Sequence, residues 1–227
     1  MSAIIKVSLN ENIYLRDPET TDLGRKILSE GIRLIDELGF EQFTFKKLAI
    51  AIESTEASIY RYFENKHKLL VYIISWYWAW LDYQISYQTN NIRDPREKLR
   101  IIIRVICESH RAGSFACSVD EAALFRIVVS EASKAFLTKE VDEENRAGLF
   151  RDYKALCRRI GEIVSQINPA YPYPHALVST LFETSRKHVF FAQHLPSLTE
   201  VKDKDAKTLV TFLEHLMFSA LDVPVER

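Results

Sequence analysis

The chain has 227 residues, 47 % hydrophobic and 27 % charged, with 30 Lys and Arg against 31 Asp and Glu and a formal net charge of -1. That composition fits a soluble globular protein. It excludes nucleic-acid binding by bulk positive charge, so any phosphate contact must come from a local basic surface. With only six Gly and seven Pro and little β-branched alternation, a mostly helical chain is predicted.

Residues 1–21 read as a leader. Ile4, Ile5, Val7 and Leu9 are interrupted by Lys6 and Ser8, which is not the pattern of a signal peptide. Lys6 and Arg16 are the leader's only basic residues, so a disordered or packed arm is favoured over one reaching a DNA minor groove. Helical periodicity begins near Asp22, with Leu23, Ile27, Leu34, Ile35 and Leu38 on one face, and Gly39 suits its C-terminal cap. Thr44 can cap a second helix, with Phe43 and Leu48 at hydrophobic-staple spacing. Glu53-Ser54 forms a turn, and Thr55 caps a third helix carrying Ile59, Tyr60 and Phe63. Asn65 opens a long fourth helix to about Tyr87. Its uncharged run, Leu69 to Leu81, is shorter than the about 20 residues that span a bilayer.

Further helices are predicted from Asp94-Pro95 to near Gly113, from the Ser118/Glu121 capping box to about Leu137, and from Lys139 to Ile167. After the loop Ala170 to Pro174, two more run to about His194 and over about Asp203 to Leu221.

Residues 44 to 69 carry the sharpest signal. Two short helices around a tight turn form a helix-turn-helix, which places its second helix in a major groove. Ala49 stands where these helices cross, and Ile52 and Ile59 plug the space between them. Thr55, Glu56, Ala57, Ser58 and Arg61 are left outside. Glu56 can accept from a cytosine amino group, and Arg61 can bind guanine or phosphate. Thr44, Lys46, Thr55, Tyr60 and Lys66 suit phosphate oxygens. Between Asp22 and Lys68, eight basic residues are offset by eight acidic ones, so few phosphate contacts per protomer are expected.

Gly39-Phe40, Thr44-Phe45-x-x-Leu48-Ala49 and Ser58-Ile59-Tyr60-Arg61-Tyr62-Phe63-x-Asn65-Lys66-x-x-Leu69 resemble the DNA-binding domain of the TetR/AcrR family of bacterial transcriptional regulators. The resemblance implies an all-α cytoplasmic homodimer. Residues 22–68 would bind a double-stranded DNA operator, and residues 69–227 would sense a small molecule and dimerise. It also implies a repressor that a ligand releases from DNA. Three positions depart from the family pattern: Glu53 stands where Gly is usual, Ser54 where an apolar residue is usual, and Tyr62 where His is common.

The remaining two-thirds say less. Trp76, Trp80, Tyr83 and Tyr87 recur at helical spacing, either as a pocket wall or as core packing. Cys107, His110 and His188 are further pocket candidates. Cys107, His110 and Cys117 match no metal-ligand spacing, and the three cysteines read as reduced, packed thiols. No metal or cofactor is expected, and no nucleophile triad or phosphate loop suggests an enzyme. Leu177, Leu181, Phe182, Val189, Phe212, Leu213, Leu216 and Met217 give the last two helices wide apolar faces. These fit a two-fold interface or burial within the protomer. Two other readings stay open: a constitutive DNA-binding dimer, and a helical binding protein or enzyme with a vestigial helix-turn-helix.

Overall fold

The computed structural model describes residues 9–108, 120–203 and 205–222, and every regular element among them is helical. In chain order the α-helices are α1 (Asp22–Leu38), α2 (Phe45–Ala51), α3 (Glu56–Tyr60), α4 (Lys66–Thr89), α5 (Pro95–Glu108), α6 (Glu121–Glu131), α7 (Val141–Arg146), α8 (Arg151–Ile167), α9 (Pro174–His194) and α10 (Ala206–Asp222). The chain divides into two compact units, residues 1–79 with 110–152 and residues 80–109 with 153–227. Helix α4 runs from the first into the second.

In the first unit, α1 begins where Thr21 Oγ1 accepts from the Gly24 N–H at 3.0 Å and ends at Gly39, whose N–H donates to the Ile35 carbonyl at 2.9 Å. The Gly39 cap follows the sequence; the Thr21 cap was not read there. Its buried stripe includes Ile27, Leu28, Ile32 and Ile35. Phe43 and Leu48, the staple pair, are fully buried. Helix α1 packs on α2 and on α6.

The leader is packed from Leu9 onward. Leu9, Ile13 and Pro18 are buried, and the Tyr14 ring meets Tyr72 of α4 edge-on at 5.9 Å. The Trp76 indole donates to Glu19 at 3.0 Å. Backbone approaches backbone so closely at Gly24 that a Cβ there would lie 2.1 Å from the Pro18 carbonyl oxygen. Gly24→Ala is therefore expected to lower stability by about 1–3 kcal/mol through overpacking, measured by urea unfolding. Wild-type stability in that variant would show that the leader yields freely.

The predicted helix from Lys139 to Ile167 is broken. Gly148 adopts φ +81°, a left-handed conformation that glycine adopts without steric penalty. The freed Ala147 carbonyl accepts from the side-chain amides of Asn10 and Asn12 at 3.1 and 2.9 Å. Two other boundaries differ. Helix α6 is capped by Asp120, whose carboxylate accepts from the Ala122 and Ala123 N–H groups, and it gives way after Glu131 to a 3-10 turn. The predicted cap Ser118, and the predicted stretch to Gly113, lie outside the described residues.

The second unit joins α5, α8, α9, α10 and the end of α4. Helix α10 packs on α5 and α9. The Asn168 amide ties the end of α8 to the Leu221 carbonyl at 2.8 Å. Arg159 of α8 reaches the Asp82 carbonyl at 2.8 Å, the Asp82 carboxylate and the Ser86 hydroxyl on α4.

Candidate nucleic-acid interface

Helices α2 and α3 are joined by a turn in which Glu53 has positive φ and Thr55 is extended. Glu53, at the position where the resembled family usually has Gly, has φ +53°, a left-handed conformation, and the Ser54 N–H closes the turn on the Ala49 carbonyl at 2.9 Å. A side chain in this region is disfavoured by roughly 1 kcal/mol. Glu53→Gly is thus expected to raise stability by up to about 1 kcal/mol, less the entropy glycine returns to the unfolded chain. A loss of stability on urea unfolding would show that the Glu53 side chain holds the turn.

Thr55 caps α3, accepting from the Ser58 N–H at 3.3 Å, and its hydroxyl pairs with that of Ser58 at 3.0 Å. Ile59 is buried against α2, while Thr55, Glu56, Ala57, Tyr60 and Arg61 are exposed. Tyr60 keeps one edge on Phe45, with ring centroids 5.0 Å apart. The surface of a five-residue helix is thereby split as the pattern demands: one apolar face inward, a mixed polar face outward.

The basic residues are distributed less simply. Lys46 and Arg61 are exposed and carry no ion pair among the described residues. Lys47 donates to the Gln42 carbonyl at 2.9 Å. Lys66 does not stand out as a phosphate ligand: its ammonium donates to the carbonyls of Phe40, Glu41 and Phe43 at 2.9, 3.1 and 3.2 Å and lies 4.6 Å from the Phe40 ring centroid. Three ammonium protons meet three carbonyls, so the side chain fastens the α1–α2 connection to the start of α4. Lys68 is drawn inward too, 3.2 Å from Glu144, whose other oxygen is 3.1 Å from His67 Nε2.

Tyr62 turns its ring inward and is 2 % exposed. Its hydroxyl hydrogen-bonds with Thr21 Oγ1 at 2.7 Å, its carbonyl accepts from the Leu15 N–H at 2.8 Å, and the Arg16 guanidinium lies 5.4 Å from its ring centroid. These leader contacts were missed in the sequence, where the phenol at a position commonly His was their signal. A second set was also missed. Glu131 of α6 is buried and accepts from the Phe40 N–H at 3.2 Å, and Arg126 grips Asp36 of α1 through two nitrogens, at 2.7 to 3.2 Å.

Of the pocket candidates, Trp76 belongs to the first unit and bonds the leader. Trp80 is buried in the second, and Tyr83 is exposed, stacked on Tyr87 at 6.4 Å. His188 Nδ1 is 2.7 Å from Thr199 Oγ1, and its ring lies 4.9 Å from that of Phe212. His110 and Cys117 lie outside the described residues. Among the described residues no group of three metal-ligating side chains converges. Burial pushes the Cys107 thiol up to about 12 and the Cys157 thiol up to about 11. Both are therefore protonated at neutral pH. Neither is expected to be alkylated by iodoacetamide in the native protein, as peptide mass mapping before and after denaturation would show.

The interface candidates separate into two sets by burial. Leu177, Leu181, Phe182, Leu213 and Met217 are buried within the protomer, where α9 and α10 pack on each other and on α5. Their exposure is 7 % or less. Val189, Phe212 and Leu216 retain exposure, because they lie on the outer side of the same two helices.

Among the described residues the regular elements are all helices, with a helix-turn-helix near the N-terminus. Residues 27–73 match the family model described as bacterial regulatory proteins, tetR family. The chain carries the N-terminal domain of that family and has the fold of tetR-family transcriptional regulators. Solved structures agree on the fold. The fatty acid degradation regulator FadR from Bacillus halodurans is 19 % identical with a TM-score of 0.61, over 89 % of this chain and 96 % of its own. FadR from Bacillus subtilis, solved with stearoyl-CoA, is 16 % identical with a TM-score of 0.61, over 86 % and 97 %. AibR, solved with isovaleryl coenzyme A and operator DNA, is 20 % identical with a TM-score of 0.59, over 86 % and 98 %. No curated protein sequence matches the chain. No described helix is long and apolar enough to cross a membrane.

Proposed function

We propose that this chain is a cytoplasmic, sequence-specific DNA-binding regulator, not an enzyme, and that it represses transcription as a homodimer. The observation that carries the reading is the α2–α3 pair. Its crossing is sealed by Ala49, Ile52 and Ile59, while Thr55, Glu56, Ala57, Tyr60 and Arg61 face outward. Residues 22–68 would do the reading, with Glu56 and Arg61 toward base edges and Thr44, Lys46, Thr55, Ser58 and Tyr60 toward the backbone. Selection of bound sequences from a random DNA pool tests it. A pseudo-palindromic site is expected, because a two-fold dimer reads two half-sites; recovery of no preferred sequence would refute the reading.

The homodimer would use the exposed apolar strip of α9 and α10 around Val189, Phe212 and Leu216. Phe212→Glu is expected to shift the protein to monomer in sedimentation velocity at micromolar concentration and to weaken operator binding with it. A dimer unchanged by that substitution would move the interface elsewhere.

The effector class that two similar structures favour is an acyl-CoA thioester. Binding within residues 69–227 would release the operator only by its differential affinity for the DNA-free geometry. Thermal shift with stearoyl-CoA, isovaleryl-CoA and free coenzyme A tests this class. Stabilisation by an acyl-CoA but not by coenzyme A is expected. If operator DNA stabilises the protein and no acyl-CoA does, a constitutive DNA-binding dimer is the better description.

A further inference from the structure

The phosphate-facing charge of this reader is depleted by its own fold. Lys66 and Lys68, the basic residues that open the helix after α3, are turned inward onto three carbonyls and Glu144. Lys47 is held on Gln42. One more cation stands beside the end of α3, and it comes from the leader. Arg16 is exposed, has no ion pair among the described residues, and its guanidinium sits 5.4 Å from the ring centroid of Tyr62, the residue next to Arg61.

Its placement is fixed on both sides along the chain. The preceding residue, Leu15, donates its N–H to the Tyr62 carbonyl at 2.8 Å. Two residues on, Pro18 is pressed onto Gly24 of α1, where a Cβ would lie 2.1 Å from the Pro18 carbonyl oxygen. Thr21 then closes the path, with its hydroxyl 2.7 Å from that of Tyr62. A guanidinium stacked on an aromatic face keeps its N–H edges free, and those edges match phosphate oxygens.

We propose that Arg16 is a DNA-backbone contact, a fixed cation that the packed leader adds to the C-terminal edge of the reading helix. The contact positions the protein on the duplex and carries no sequence information. It rests on the reading of α3 as a DNA-binding helix. The two can fail separately.

The test compares the wild type, Arg16→Gln and Arg16→Lys by fluorescence anisotropy, on a selected operator and on an unrelated duplex, over a series of NaCl concentrations. Arg16→Gln is expected to weaken both duplexes alike and to lower the slope of log affinity against log salt by about 1 for each bound protomer. Arg16→Lys, which keeps the charge, is expected to retain the slope. An unchanged slope in Arg16→Gln would overturn the contact while leaving the DNA reading intact. An equal fall in both variants would also overturn it, since the stacking alone would then matter. Wild-type protein without salt-dependent DNA binding would overturn the DNA reading, and this contact with it.

Discussion

Lys66→Met is expected to lower the free energy of unfolding by about 2–3 kcal/mol and to leave the salt slope of DNA binding unchanged once affinity is corrected for folded fraction. The reason is local. The Lys66 ammonium donates to the carbonyls of Phe40, Glu41 and Phe43, which follow the end of α1 and have no helical partner there. Hydrogen bonds to a charged group contribute about 1.5–3 kcal/mol each. The lower end applies here, because the Glu41 bond is solvent-exposed and that carbonyl can turn to water. Methionine keeps an apolar stem of similar length and removes the donors together with the charge over the Phe40 ring. Urea unfolding with an unchanged m-value would measure the loss. Stability within about 0.5 kcal/mol of wild type together with a slope lower by about 1 would reassign Lys66 to phosphate.

That substitution also shows where the sequence runs out. Lys66 has the residue type and position of a phosphate ligand, and nothing local says that three carbonyls more than twenty residues upstream will claim it. Helix caps were legible because they are local: Thr44–Lys47, Thr55–Ser58 and Asn65–Lys68 each close within three residues. The left-handed turn at Glu53 was signalled only by the resemblance, as a departure from the family's usual Gly. The break at Gly148 was not, because the carbonyl it frees is satisfied by Asn10 and Asn12, far away in the chain. The apolar stripes of α9 and α10 announced burial but not against what. Leu181 and Leu213 are buried within the chain, and of the eight residues read as an interface Val189, Phe212 and Leu216 keep surface to offer. An aromatic period of three and four on α4 likewise could not say that Trp76 would spend its N–H on Glu19 of the leader.

Glu144→Leu is expected to have the other large effect, a loss of about 2–4 kcal/mol. The Glu144 side chain is 7 % exposed, and its two oxygens take Lys68 Nζ at 3.2 Å and His67 Nε2 at 3.1 Å. Both partners sit in the first turn of α4, so one carboxylate from α7 fastens the segment that follows the reading helix. Removing one member of a buried ion pair costs about 3–5 kcal/mol, because the other charge is left without compensation. The Lys68 side chain keeps 16 % exposure, so water recovers part of that and the lower range is expected. The cause can be separated from simple packing by a double-mutant cycle. Lys68→Met removes the stranded ammonium, so the Lys68→Met/Glu144→Leu protein is expected to be more stable than Glu144→Leu alone, with a coupling of about 1–2 kcal/mol. Strict additivity would mean that Glu144 acts through its volume and not its charge. Anisotropy on the selected operator adds the functional link. If Glu144 holds the start of α4 in the geometry that presents α3, Glu144→Leu weakens operator binding more than nonspecific binding at a temperature where the variant is fully folded. Equal weakening on both duplexes would confine its role to stability.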